Sequence, residues 1–371
     1  MAGSKTRHYG SGTFDKGLDV LESLERAPEP LRIHDIAQLT GLDRAAVFRL
    51  LCTLEDRGYI ERLTDKRYRA KNRKRMPRVS YIAPLTGNPF REEVTRSLQR
   101  AATDSGLQLE LVDTGDIELP RDQIDAVLRS GAEAVILFQR RGSLAHLLAD
   151  RFLQEQIPLI SVETPIAGAL YFGGNNYRAG LLAGEALGTF ARRQWQGNFD
   201  KLVLLESSLS AAATMARLTG TVEGLNTTLN IDASTRVVHV DGLASIETSR
   251  AACLRVFKSL PRRSKVLISC FNDLSAMGAV QAARTLGVAD QVAIVGQNGT
   301  AEARAELALT SSPLIATVAY FPERYGEELL KLAATVIAHQ KTPLAVYVDH
   351  VLLNRTNLRR YYPRASAATL K

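Results

Sequence analysis

The side chains in this chain that could do chemistry do not assemble into a catalytic set. Six histidines (His8, His34, His146, His239, His339 and His350) lack any metal-ligand spacing such as His-x-x-x-His. Neither a Gly-x-Ser-x-Gly elbow nor a Walker A loop occurs. Asp113 and Asp116 flank Gly115 as a strand-end turn would, and are read as a turn rather than an acid–base couple. The stretch Phe172-Gly-Gly-Asn-Asn-Tyr opens a helical pattern, but its glycine spacing departs from a dinucleotide turn and favours a helix start or a hinge. No cofactor or metal is therefore expected. What does gather is positive charge. Residues Arg57 to Arg78 hold 10 Lys plus Arg against 2 Asp plus Glu, and Met1 to Arg78 hold 17 against 11, in a chain whose total net charge is +8 over 371 residues. A basic module on a near-neutral body suits a polyanionic partner at one end only.

Within that module, Leu31 to Arg69 reads as a helix, a tight turn at Thr40-Gly41, a second helix and a short basic hairpin. On the second helix Val47, Leu50, Leu51 and Leu54 recur at i, i+3, i+4, i+7 and define a buried face, with Ile33, Ile36 and Leu39 of the preceding helix behind it. Asp43 stands at the N-cap position. The opposite face carries Ala45, Arg49, Cys52 and Asp56, flanked by Phe48, a surface small and basic enough to enter a major groove. Upstream, Phe14, Leu18, Leu21 and Leu24 predict one face of a leading helix, ended by Pro28 and Pro30. Downstream, Lys71-Asn72-Arg73-Lys74-Arg75-Met76-Pro77 is a basic linker, open to either a solvated connector or a phosphate contact.

Three cysteines, Cys52, Cys253 and Cys270, are odd in number and scattered, which fits a reducing compartment. The N-terminal residues carry no apolar signal core, and nowhere do 18 apolar residues run together, so neither a signal peptide nor a membrane span is expected and the location expected is cytoplasmic.

From Arg78 onward β-prone runs alternate with helical ones: Val79–Leu85, Leu107–Val112, Ala134–Phe138, Pro158–Val162, Lys201–Leu205, Arg236–Val240, Lys265–Cys270, Gln291–Val295, Leu314–Ala319 and Val346–Leu352. Such alternation predicts parallel sheets covered by helices, and this number of strands predicts two lobes. Ligands of such sheets bind beyond the carboxyl ends of strands, which directs attention to the loops there.

Leading helix, "DIA.LTGL", "LL.TLE..GYIE" and a basic wing together resemble the IclR-type winged helix-turn-helix over about 60 residues. Ala45 and Ala46 stand where that family commonly has Ser or Thr. The expected DNA-contacting set is therefore Arg44, Ala45, Ala46, Phe48 and Arg49, with Lys66 and Arg67 on the wing, and base reading shifts toward Arg44, Phe48 and Arg49.

The remainder, about Arg78 to Tyr362, resembles the periplasmic-binding-protein type 1 fold of sugar-binding proteins and of the ligand domains of LacI/GalR-type repressors. The resemblance rests on "NPF", "IPLISVE", "FGGNNYRAGLLAGEAL", "FNDLSAMGAVQAARTLG", "VGQNGT" and "IATV...P...G" in order. It implies an α/β fold, a winged helix-turn-helix followed by two parallel-sheet lobes. The expected boundaries are a tail at 1–12, the DNA-binding domain at 13–70, the linker at 71–77, the ligand domain at 78–362 and a tail at 363–371. Within the ligand domain the first lobe would take 78–174 and 321–345, and the second 175–320 and 346–362.

Carried over by position, the resemblance places Asn88, Phe90, Glu163, Thr164, Arg217, Asn272, Asn298 and Tyr320 around a small polar ligand. Glu163-Thr164 replaces the Asp-Arg frequent in sugar binders, Asn298 replaces an Asp, and Tyr320 replaces a frequent Gln. The function implied is a ligand-responsive transcriptional regulator, a repressor in the leading form, acting as a homodimer on double-stranded operator DNA with a sugar-like effector. The other readings are a solute-binding protein serving a transporter, and an α/β enzyme acting on a sugar or nucleotide.

Overall fold

The computed structural model describes residues 12–71, 76–115, 121–139, 142–208, 210 and 212–363, and the chain divides into two units, residues 1–75 and 76–371. Positions 72–75 of the basic linker, Asp116 and most of both expected tails lie outside the described residues.

In the N-terminal unit α1 (Gly12–Arg26), α2 (Ile33–Thr40) and α3 (Arg44–Asp56) pack with the strands β1 (Ile60–Arg62) and β2 (Tyr68–Ala70). The buried face of α1 differs from the expected one: Val20 and Leu24 are buried and Leu21 packs beside them, whereas Phe14 and Leu18 are 66% and 40% exposed. Gly17 explains the difference. A Cβ there would lie 3.7 Å from Leu50, so a glycine occupies the contact position on the true stripe, where an apolar count passes over it. On α2 likewise Ile36 is buried and Ile33 and Ala37 pack beside it, while Leu39, expected as support, is 65% exposed. Ile33, Ile36 and Ala37 keep the i, i+3, i+4 spacing that Leu39 breaks.

Gly41 at φ 69° closes α2, and Asp43 caps α3 by accepting the Ala46 N–H at 2.8 Å. Val47 and Leu51 are fully buried, flanked by Leu50 and Leu54. β1 and β2 pair antiparallel with Ile60 opposite Ala70, and Leu31 exchanges both backbone hydrogen bonds with Tyr68, tying the wing to the entrance of α2.

The second unit carries two six-stranded sheets. The first lobe begins β3 (Arg78–Ala83), α4 (Pro89–Ser105), β4 (Gln108–Asp113), α5 (Arg121–Arg129), β5 (Ala134–Leu137), α6 (Gly142–Gln154), β6 (Leu159–Val162) and β7 (Leu170–Gly174). The chain then builds the second lobe from α7 (Asn176–Trp195), β8 (Lys201–Glu206), α8 (Ala216–Leu229), β9 (Val237–Asp241), α9 (Ile246–Ser259), β10 (Val266–Cys270), α10 (Asp273–Thr285), β11 (Val292–Asn298), α11 (Ala301–Ala308) and β12 (Leu314–Ala319). It returns through α12 (Tyr325–Ile337), which packs on α4, to β13 (Ala345–Val348), and crosses again into β14 (Val351–Leu353) and α13 (Leu358–Tyr361).

Strand order is β13-β7-β6-β5-β3-β4 in the first sheet, all parallel, and β14-β12-β11-β10-β8-β9 in the second, parallel except for β14. Residues 346–352, expected as one strand, are therefore two strands in different sheets, and Ala345–Val348 pairs with β7 rather than joining the second lobe. A continuous apolar run cannot show that Asp349-His350 carries it across a lobe boundary. β7 itself is unexpected. Its glycines weaken strand propensity, yet a Cβ on Gly174 would lie 2.3 Å from Tyr320 Cε1, so the crossing needs a residue without one. Asn175 then caps α7, accepting the Arg178 N–H at 3.0 Å.

Among the described residues no helix is long and apolar enough to cross a membrane.

Candidate functional site

Two helix N-termini, one from each lobe, face the same cleft. Asn88 follows β3 and caps α4, its Oδ1 accepting the Arg91 N–H at 3.1 Å; Asn272 follows β10 and caps α10, accepting the Ser275 N–H at 2.8 Å. Because each carbonyl oxygen is committed to the cap, each amide NH2 is the end left to turn elsewhere. Asn272 gives one of its hydrogens to the Ala244 carbonyl at 3.3 Å. Local sequence thus does double duty: the residue that starts the helix also presents a donor beyond the strand end.

Between these caps lies a cleft of about 70 Å³. From the expected set it brings together Asn88, Phe90, Glu163, Thr164, Arg217, Asn272 and Asn298. Tyr320 is the exception. It is 1% exposed and stands behind the wall, its ring edge-on to Phe90 at 6.1 Å and beneath the Arg217 guanidinium at 5.5 Å, its hydroxyl 3.3 Å from Gln297 Oε1. The close approach of Gly174 holds it inward.

Arg217, on the first turn of α8, is 4% exposed. It reaches across to Asn176 Oδ1 from Nε at 3.1 Å and from Nη2 at 2.5 Å, gives Nη1 to the Phe271 carbonyl at 2.6 Å, and lies 4.7 Å above the Phe271 ring. Glu163 sits at φ 60° just after β6; its Oε1 accepts the Tyr325 hydroxyl at 2.6 Å and the Gly174 N–H at 3.1 Å. Burial raises its pKa above the usual carboxylate range, against the Tyr325 hydrogen bond, the Arg217 charge and the Gly174 N–H, which all pull it down. Asn298, at φ 107°, closes the second-lobe side.

Arg91, Phe138, Ser210, Thr214 and Phe271 also line the cleft and were not expected from the sequence. Phe138 and Phe271 follow strand ends directly, so the strand-end rule could have found them. Arg91 adjoins Phe90 on the first turn of α4 and is 4% exposed, which no local pattern announces for an arginine. Below the cleft Asp273 is fully enclosed, accepting Thr317 Oγ1 at 2.6 Å and the Thr300 N–H at 2.7 Å, and burial pushes its pKa up to about 7. At the crossing between β13 and β14, the His350 ring packs 4.4 Å from that of Tyr320, and burial, with the Arg217 charge, lowers its pKa to about 4 despite the Ala319 and Asn175 backbone and the Asp349 charge.

The N-terminal unit displays a second surface. Along α3, Arg44, Ala45, Phe48 and Arg49 are exposed and Ala46 is half-buried. Arg44 Nη2 lies 3.0 Å from His34 Nδ1. In the wing turn Lys66 is exposed at φ 65°, while Arg67 is half-buried and held by Asp65 at 2.5 Å, an ion pair that also lowers the Asp65 pKa.

A family model described as periplasmic binding protein domain matches residues 79–341, and one described as IclR helix-turn-helix domain matches residues 13–64. Curated proteins give no match. Among solved structures, a periplasmic solute-binding protein of an ABC transporter from Actinobacillus succinogenes 130z with bound D-allose is similar at 17% identity and TM-score 0.67, covering 77% of this chain and 100% of that one. A protein from Mycobacterium smegmatis in complex with β-D-fucofuranose is similar at 20% identity and TM-score 0.65, covering 78% and 94%. An ABC transporter solute-binding protein from Agrobacterium vitis with bound allitol is similar at 16% identity and TM-score 0.68, covering 78% and 98%. At these identities the likeness is one of fold.

Proposed function

Since the chain belongs to the periplasmic binding protein domain family and begins with an IclR helix-turn-helix domain, we propose that it is a ligand-responsive DNA-binding transcriptional regulator, acting as a repressor in the cytoplasm. The observation that carries this reading is the joining, in one chain, of an exposed capped helix bearing Arg44, Phe48 and Arg49 to a domain whose lobes meet at a cleft lined by aromatic, amide and charged side chains. The solved structures of similar fold hold D-allose, β-D-fucofuranose and allitol, which supports a sugar or other small polar metabolite as effector. In this reading Asn88, Phe90, Glu163, Thr164, Arg217, Asn272 and Asn298 contact the effector and Tyr320 backs them. Arg44, Ala45, Ala46, Phe48, Arg49, Lys66 and Arg67 form the DNA surface, and two copies act together on paired half-sites. The effector controls operator binding only through unequal affinity for DNA-competent and incompetent forms.

The similarity to transporter proteins favours one alternative, a solute-binding protein, which gives the N-terminal unit no role. The test is made on the full chain. Rounds of selection from random double-stranded DNA should enrich one sequence, and sugars or polyols that raise the melting temperature should change affinity for it. Phe90→Ala and Asn272→Ala should keep DNA affinity and lose the effector response. Absence of an enriched sequence, or binding of a stabilising sugar with DNA affinity unchanged, would remove the proposal.

A further inference from the structure

The cleft's own chemistry narrows the class of effector; this step rests on the reading above that the cleft is the effector site. Among the described residues three ionisable side chains line it, Arg91, Arg217 and Glu163, and their formal charges sum to a positive value whether Glu163 is ionised or protonated. Among the described residues Arg217 forms no ion pair. Its charge is instead solvated by Asn176 Oδ1, the Phe271 carbonyl and two aromatic rings. Three of its five N–H groups are used in this way, which leaves one on each terminal nitrogen. Both belong to a planar, permanently charged group that can give charge-assisted hydrogen bonds to a carboxylate or a phosphate.

Hydrogen-bond capacity points the same way. The oxygens of Asn88 and Asn272 each already accept a helix-cap hydrogen bond, and after the Asn272 bond to Ala244 each amide still keeps an N–H to give. The Glu163 Oε1 acceptor is already held by Tyr325 and the Gly174 N–H. A neutral sugar brings hydroxyls that donate as readily as they accept; the second Glu163 oxygen, Asn298 and the lining hydroxyls can meet such groups, while the two guanidinium groups favour a ligand that also brings an anionic acceptor. The N-termini of α4 and α10 add partial positive charge to the same space. Phe90 and Phe271 supply apolar faces for C–H groups.

We infer that the effector is a sugar acid: a polyhydroxylated, monosaccharide-sized molecule whose carboxylate is taken by Arg217. A phosphorylated sugar shares the anionic chemistry, but a cleft of about 70 Å³ favours the smaller anionic group.

The test is calorimetric titration of the full chain with matched sets at one pH and low salt: D-galactose with D-galacturonate, and D-glucose with D-glucuronate, D-gluconate and glucose 6-phosphate. At least one carboxylate should bind about tenfold or more tightly than its neutral partner, as charge-assisted hydrogen bonds provide. Arg217→Met should abolish that preference and Arg217→Lys should retain part of it, each with its folding checked by thermal melting. Glu163→Gln, which removes negative charge without removing bulk, should keep or widen the preference for the acid over its neutral partner, whatever it does to affinity for both, and keeps the inference testable if the arginine variants do not fold. A neutral sugar binding as tightly as its acid, or a loss of the acid-over-neutral preference in folded Glu163→Gln, would overturn the inference while leaving the cleft as the effector site. Preference for glucose 6-phosphate would overturn the carboxylate assignment, and failure of every compound to bind would remove both the inference and the sugar-type reading beneath it.

Discussion

At the scale of single residues, several side chains perform two tasks. Asn88 and Asn272 each start a helix and each keep an amide for the cleft. Glu163 links Tyr325, on the returning α12, to Gly174 at the end of β7, so a lining residue also pins two of the segments that join the lobes. His350 occupies the third crossing, against Tyr320. Its pKa falls from 6.5 to about 4 on folding because the buried ring is costly to charge beside Arg217. A base depressed in this way contributes stability that is complete above about pH 6.5 and is lost as pH falls toward about 4. Asp273 acts in the opposite sense: raised from 3.8 to about 7, it stabilises most below 3.8 and loses that contribution as pH rises through 7. His350→Phe keeps an aromatic ring against Tyr320 and removes the titration. The drop in melting temperature between pH 7 and pH 4.5 should therefore shrink in the variant relative to the parent chain, and an equal drop in both would show that His350 does not set the acid limit.

At the scale of elements, the exposed face of α3, proposed as the DNA surface, is determined by what lies behind it. Val47 and Leu51 fix the rotation of α3, and that rotation turns Ala45 and Arg49 outward. Arg49→Ala is expected to weaken binding to a selected DNA and to alter its base preference; an unchanged footprint and affinity would remove Arg49 from that surface. The wing gives a distinct expectation. Lys66 occupies a left-handed turn position with an exposed ammonium, whereas Arg67 is engaged by Asp65. Lys66→Asn keeps a residue tolerant of that backbone and should lower the slope of log K against log salt by about one unit if the ammonium meets a phosphate. The slope should change less for Arg67→Gln, because that guanidinium already has a carboxylate.

At the scale of the whole molecule, the proposed function gives the two units different partners. A single recognition helix buries too little surface for operator-level affinity, so the regulator reading requires two copies on paired half-sites. Titration of a selected DNA, followed by light scattering or native mass measurement, should give two chains per duplex, and cutting the site to one half should weaken binding by orders of magnitude. One chain per duplex at undiminished affinity would contradict paired binding.

Amphipathic spacing made α3 and its capping Asp43 legible in the sequence, and strand–helix alternation made the two-lobed α/β plan legible, because those patterns are local consequences of helix and strand geometry. The resemblance to the periplasmic-binding-protein type 1 fold indicated seven of the residues that meet at the cleft, most of them in loops after strand ends, where parallel sheets carry their ligand contacts. Local pattern could not show that Gly17 holds a core position, that β7 ends in glycines because Tyr320 presses against it, or that residues 345–353 divide between two sheets. Nor could it place Arg91 inside, Tyr320 behind the wall, or Arg217 near Glu163 yet without a direct ion pair among the described residues. Each of these depends on which distant segments come within a few ångströms of one another. Side-chain type and spacing therefore set the elements and the candidate chemistry, while tertiary contact alone decided which donors remain uncommitted and hence what charge the cleft offers a ligand.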